Sequence, residues 1–191
     1  EHLLQILEAL YAAFPHLRQV TVYAGTRSTM TKTQEQLNEL RKAGLTRAYL
    51  GVESGWDELL KKVNKGVTSM LKAAGIDLWV MVILGLAGPG EPAKRHIEET
   101  IKVLNKMQAN HVSCLSYMPE PNSPMYKDVQ EGKFQLISPR EYLEETRALV
   151  AGLNYGPFHF TSNHASNYVP LKGTLPDDRE KFLSMIDQAL G

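Results

Sequence analysis

Seven consecutive apolar residues, Leu78-Trp79-Val80-Met81-Val82-Ile83-Leu84, most constrain what this chain can fold into. The run is too short to span a membrane, and its Val and Ile content favours a strand. Near-continuous runs of this kind mark parallel strands buried on both faces, which need helices to cover them. Helical patterns duly flank it. Leu3, Leu4, Leu7, Leu10 and Tyr11 recur at helical spacing, so residues 2–13 form a helix ending near Pro15. Residues 19–24 read as a strand closed by Gly25. Thr33 with Gln36 makes a capping box for a second helix, striped by Leu37 and Leu40 and stopped by Gly44. Then come a strand at 47–52, a helix at 56–63, a short helical piece from Ser69 to Ala74, and the apolar strand at 77–84. A long helix over 91–108 and a strand from His111 to Tyr117 complete the alternation.

This α-β rhythm with short connections predicts an α/β fold of parallel strands joined by right-handed crossovers. Four such strands cannot close an eight-stranded barrel, so the sheet is either open and doubly wound or part of a TIM-like barrel truncated at its N-terminus. Residues 1–152 carry that pattern. From Met118 the prolines at 119, 121 and 124 mark a loop, a helix covers 139–152, and residues 153–191 form a polar tail with a last helix at 177–190, packed on the same domain. One crossover is irregular: Asn64 to Thr68 splits the helix expected before the apolar strand, and its second half is under two turns. A segment missing after Thr68 is the expectation. The opening residues Glu1 to Gln5 fall inside a helical pattern without signal-peptide character, which predicts a truncated chain.

Composition removes several function classes. A formal net charge of +0 gives no bulk electrostatic attraction to nucleic acid or an acidic membrane. The single cysteine, Cys114, excludes an internal disulfide and any multi-cysteine metal site within these 191 residues. A cytoplasmic location is expected.

Candidate chemistry gathers where strands end. Glu53 and Ser54 follow the strand at 47–52, where α/β sheets place ligands, and could accept hydrogen bonds from a ribose or an ammonium group; Ser54 or Asp57 could equally cap the next helix. Gly85-Leu86-Ala87-Gly88-Pro89-Gly90-Glu91 allows close approach of a ligand and opens a helix that could meet an anion, or is simply a turn. It carries neither a dinucleotide fingerprint nor a Walker loop. Met118-Pro119-Glu120-Pro121-Asn122-Ser123-Pro124 could present backbone to a planar base, or is simply a surface turn. Asn163, His164 and Asn167 could contact substrate or tie the tail down, sealing the barrel bottom. Cys114 lies in an apolar strand and reads as a core residue.

Gly51-Val52-Glu53-Ser54-Gly55, with Asn64-Lys65-Gly66 after a helix, resembles the fourth-strand segment of radical S-adenosylmethionine (radical SAM) enzymes. Residues 74–76 leading into 82–86 resemble the fifth strand and its glycine loop, and Tyr117-Met118-Pro119 with Asn122-Ser123-Pro124-Met125-Tyr126 resembles the sixth-strand exit. Residues 162–168 are similar to the ending of a subgroup of iron–sulfur oxidoreductases. The resemblance implies a (β/α)6 partial barrel in which a [4Fe–4S] cluster reductively cleaves S-adenosylmethionine to a 5′-deoxyadenosyl radical. By position, Glu53 and Ser54 would contact the ribose or methionine, Gly85 and Leu86 would pack near the adenine and methionine, and Tyr117 and Met118 would offer backbone to the adenine. The family's Cys-x3-Cys-x2-Cys motif is absent, and a cluster needs three thiolates. The chain by itself is therefore expected to hold no cluster and to be inactive, with exposed sheet edges that promote self-association. The substrate, small or macromolecular, is not named by these residues. A non-catalytic scaffold or partner-binding module, and a sugar-phosphate barrel enzyme, are the alternatives.

Overall fold

The computed structural model describes residues 2–25, 31–55 and 70–191. The helix expected at 56–63, the Asn64-Lys65-Gly66 stretch and the break expected after Thr68 lie outside the described residues. The elements run α1 (His2–Ala13), β1 (Val20–Tyr23), α2 (Gln34–Lys42), β2 (Leu45–Glu53), β3 (Asp77–Leu84), α3 (Glu91–Met107), β4 (His111–Ser116), α4 (Pro124–Gln130), α5 (Pro139–Gly152), β5 (Phe158–Ser162), β6 (Leu171–Leu175) and α6 (Arg179–Leu190). Among the described residues, no helix is long and apolar enough to cross a membrane.

Helix starts follow local chemistry. Both arms of the capping box at α2 form, with Gln36 N–H on Thr33 Oγ1 at 3.3 Å and Thr33 N–H on Gln36 Oε1 at 3.0 Å. Ser138 and Glu141 repeat the device at α5. The proline-rich stretch expected to be loop contains α4, because Ser123 caps it and Pro124 occupies a first-turn position where no N–H is missed.

The six strands form one sheet in sequence order, β1 to β6. β1 through β5 are parallel, and β6 returns antiparallel beside β5. Right-handed crossovers that always step the same way put connecting helices on one face, the arrangement of a barrel wall. A doubly wound sheet reverses its strand order partway, and this one does not. The polar tail supplies β5 and β6. Their five-residue length and interleaved polar side chains conceal them from periodicity.

β3 shows how the two faces differ. Leu78, Val80, Val82 and Leu84 are at most 1% exposed and share one core with Leu7, Leu37, Leu40, Ile97, Leu104, Leu149, Phe182 and Ile186 from the helices. Trp79, Met81 and Ile83 alternate with them and are only partly buried. The apolar run is therefore not buried on both faces: one faces the helices, and the other lines the open interior of the wall. Across that interior, Tyr23, Tyr49, Trp79, His111 and His159 are register partners on five neighbouring strands. Adjacent rings lie 5.4, 5.4, 3.8 and 6.1 Å apart, and the Arg47 guanidinium sits 3.7 Å over Trp79.

Urea denaturation checks this division. Leu84→Ala is expected to cost roughly 2–5 kcal/mol, whereas Ile83→Ala, on the open face, should cost no more than about 1.5 kcal/mol. Equal losses would contradict the one-sided core.

Candidate functional site

Parallel strands in sequence order bring the C-terminal ends of β2, β3, β4 and β5 to one edge of the sheet, where barrels carry their ligands. At β2 the register against β3 slips between Gly51 and Glu53. Glu53 takes a φ of 56°, a left-handed conformation that costs a glutamate on the order of 1–3 kcal/mol. Its carboxylate folds back over Gly51, into the space that a Cβ at Gly51 would fill. The Glu53 side chain therefore lies on the interior face. Burial raises its pKa above the ordinary carboxyl value, and it has no hydrogen bond or ion pair with the described residues. A strained, half-buried carboxylate with no partner points to a ligand.

The next two residues face the helices instead. The Ser54 hydroxyl lies 2.8 Å from Nδ1 of His96, whose Nε2 lies 3.1 Å from the Ile83 carbonyl. A carbonyl only accepts, so Nε2 carries the proton and Nδ1 receives the Ser54 hydroxyl proton. Burial holds the His96 pKa down, against the pull of the Ile83 carbonyl, which suits this neutral tautomer. Gly55 donates its N–H to Thr100 Oγ1 at 2.8 Å. A Cβ at Gly55 would fall 2.5 Å from the Thr100 Cα and closer still to the Glu99 carbonyl. Of the Glu-Ser-Gly stretch, Glu53 turns inward, and Ser54 and Gly55 bind it to α3.

Helix α5 holds the two neighbouring exits. Gly85 is buried with a φ of 75°, and its N–H donates to Glu145 Oε2 at 2.7 Å. A Cβ there would lie 2.6 Å from the Tyr142 ring. Leu86 is half-buried in the turn closed by Gly88 N–H on the Gly85 carbonyl. The Tyr142 hydroxyl donates to the Tyr117 carbonyl at 2.8 Å, while the Tyr117 N–H extends the ladder to Leu84. Met118 follows with 61% of its surface exposed. Burial pushes Glu145 up to about 7, against the pull of the Gly85 N–H, and Glu141 adds to the rise. Its second oxygen, Oε1, is buried without a partner among the described residues.

Beyond β5, Asn163 and His164 are exposed, and the His164 Nδ1 accepts from the Ser166 N–H at 3.2 Å. Asn167 acts as a piece of missing strand. Its Oδ1 accepts from the Ser116 N–H at 2.8 Å, and its Nδ2 donates to the Cys114 carbonyl at 2.7 Å and to Ser162 Oγ at 2.9 Å. The β4–β5 pairing runs from His111 and His159 to Ser113 and Thr161 and stops there, so this amide continues the ladder after the strands part. The segment sits at the C-terminal edge, not at the barrel bottom. Sequence reasoning missed His96, Thr100, Tyr142 and Glu145. Their only signal is a polar side chain at a position of the helix stripe that packs on the sheet.

Nothing at this edge fits an iron–sulfur cluster. Cys114 is fully buried and its thiol is pushed well above its ordinary value by burial, the reverse of what a thiolate ligand needs. No group of three His, Cys, Asp or Glu side chains that could hold a metal occurs among the described residues. The start of α3 also suits an anion poorly, because its first turn holds Glu91 and a proline without an N–H.

Two substitutions test these assignments. Asn167→Ala should lose roughly 2–3 kcal/mol by stranding a buried N–H and carbonyl, while the exposed Asn163→Ala stays within about 0.5 kcal/mol. The Glu145 carboxyl has a folded pKa of about 7 against an ordinary 4.5, so the folded chain binds the extra proton. Stability should fall as pH rises from about 4.5 and level off above about 7, by on the order of 2–3 kcal/mol. Glu145→Gln should flatten that slope in pH-dependent urea melts.

No protein-family model matches the chain. Over 125 residues it is 30% identical to the heme chaperone HemW of Bacillus subtilis (strain 168), a match covering 61% of this chain and 32% of that protein. The chain thus spans about a third of that relative's length. Among solved structures, Elp3 of the archaeon Methanocaldococcus infernus superposes with a TM-score of 0.60 at 14% identity, over 90% of this chain and 42% of that one. Methylornithine synthase (PylB) gives 0.56 at 12%, over 97% and 49%. TsrM of Kitasatospora setae, a radical S-adenosylmethionine methyltransferase, gives 0.52 at 16%, over 69% and 27%. The solved structures establish that this chain has the fold of those proteins, a radical S-adenosylmethionine methyltransferase among them, and the curated relative adds a sequence likeness over 61% of the chain.

Proposed function

We propose that the chain forms the S-adenosylmethionine-binding wall of a radical SAM oxidoreductase whose cluster-ligating cysteines belong to residues outside these 191. The observation that carries this is Glu53: a half-buried carboxylate, held in a strained backbone over a bare glycine, facing the interior without a partner among the described residues. A carboxylate accepts from ribose hydroxyls or from an ammonium group, and both occur on S-adenosylmethionine. Gly85 and Leu86, in the turn after β3, and the exposed Met118 after β4 would lie beside the adenine and methionine. In the whole protein, a reduced [4Fe–4S] cluster held by residues outside these 191 would supply the electron that splits S-adenosylmethionine into methionine and a 5′-deoxyadenosyl radical. Residues of this chain bind and orient the cofactor, and since none of them fits the cluster, the chain alone is inactive. A macromolecular or small-molecule substrate would meet the aromatic row across the interior.

The whole protein, reconstituted anaerobically with iron and sulfide and given S-adenosylmethionine and dithionite, should release 5′-deoxyadenosine. Glu53→Ala should lower that release at least about tenfold, the equivalent of one lost charge-assisted hydrogen bond. A well-folded protein that takes up no cluster and makes no product would favour a scaffold. β1 pairs on one side only among the described residues, with β2, and Tyr23 on it is 79% exposed. The 191-residue chain is therefore proposed to self-associate through this edge, and a clean monomer in sedimentation would refute that.

A further inference from the structure

Two side chains one turn apart on α5 reach two different strand exits, and no ligand contact is needed to explain either bond. Glu145 receives the Gly85 N–H at 2.7 Å, and Tyr142 donates to the Tyr117 carbonyl at 2.8 Å. Both bonds come from the helix side of the sheet. We infer that Glu145 is a positioning residue for the adenosyl site, setting the loop after β3 through Gly85, with Tyr142 setting the exit of β4 in step with it. The inference rests on the proposed S-adenosylmethionine site.

Three features separate this from ordinary packing. Gly85 adopts a φ of 75°, which a bond to its N–H fixes but does not by itself favour. A Cβ at Gly85 would collide with the Tyr142 ring, so loop and helix are fitted to each other without slack. Glu145 is 94% buried by its 6% exposure and still leaves Oε1 without a partner among the described residues. A carboxylate placed only for stability would be expected to satisfy both oxygens.

Charge state modulates the bond, since an ionised carboxylate accepts more strongly than a protonated one. The groups facing Glu145 are few. On its own helix are Glu141, which pushes its pKa up, Glu144, and Tyr142, itself raised to about 12. Across the cleft that Glu145 lines with α3 are Glu98 and Lys94, and Lys94 pairs with Glu91 at 3.6 Å. The Gly85 loop contributes backbone alone. Burial pushes the Glu145 carboxyl up to about 7, so its charge is the one the test follows.

The test uses the 191-residue chain and 5′-deoxyadenosine, whose binding needs no cluster, with nitrogen-15 NMR. In the wild type, the Gly85 amide resonance should move through a single titration between pH 5 and 9, and it should stay fixed in Glu145→Gln. Affinity for 5′-deoxyadenosine should be about threefold to tenfold higher at pH 8.5 than at pH 5.5. Glu145→Gln should bind with no pH dependence, and Tyr142→Phe should bind more weakly while keeping it. A Gly85 amide indifferent to both pH and Glu145→Gln overturns the inference and leaves the adenosyl site standing. A titrating Gly85 with pH-independent affinity in the wild type also overturns it. Absence of binding at every pH, with Gly85 still titrating, refutes the adenosyl site itself and the positioning role with it.

Discussion

The close approach of α3 to Gly55 is the contact on which the candidate site depends. Bare glycine lets the helix backbone rest against the loop after β2, and Thr100 and His96 then bond the Gly55 N–H and the Ser54 hydroxyl. With two of three consecutive residues fastened to the helix layer, the bulge before them has one remaining way to turn, and it turns Glu53 inward. The strain at Glu53 and the burial of its carboxyl are both sustained by that anchor. Any side chain at position 55 would have to push the α3 backbone at Glu99 and Thr100 away, and overpacking of this kind costs roughly 1–3 kcal/mol.

A second helix serves the next two strands in the same manner. α5 carries a tyrosine and a glutamate on the stripe that packs against β3 and β4, and each bonds a backbone group where a strand ends. The wall is therefore built from strands whose exits are each held from behind, by α3 at β2, by α5 at β3 and β4, and by the Asn167 amide between β4 and β5. A chain that used these loops only to connect strands would have no need to fasten them so closely, because surface connections tolerate variation.

Much of the fold was legible from periodicity. The alternation of helices and parallel strands through β4 follows from Leu stripes, the Thr33 box and the 78–84 run. The choice between a doubly wound sheet and a barrel wall was not legible, because strand order is a long-range property that local pattern does not encode. Nor was the one-sided burial of β3: Trp79, Met81 and Ile83 are as apolar as the core, yet they line an open interior. β5 and β6 were hidden by their length and by polar residues such as His159 and Thr161, and α4 by prolines that start a helix as readily as they break one. At the site, Glu53 was visible as the acid after a buried strand. The partners that orient it, and the structural use of Asn167, depend on residues 40 to 60 positions away in sequence and left only the faint mark of polar side chains within helix stripes.

The central claim is that the C-terminal edge of β2, β3 and β4 receives an adenosyl group. Photolabelling the chain with 8-azidoadenosine, followed by mass spectrometry of the peptides, tests it most directly. The account predicts label on peptides carrying Glu53, Gly85–Leu86 or Tyr117–Met118, displaced by excess 5′-deoxyadenosine. Label confined to the opposite end of the sheet, around Arg47 and His159, or label that 5′-deoxyadenosine does not displace, would contradict it.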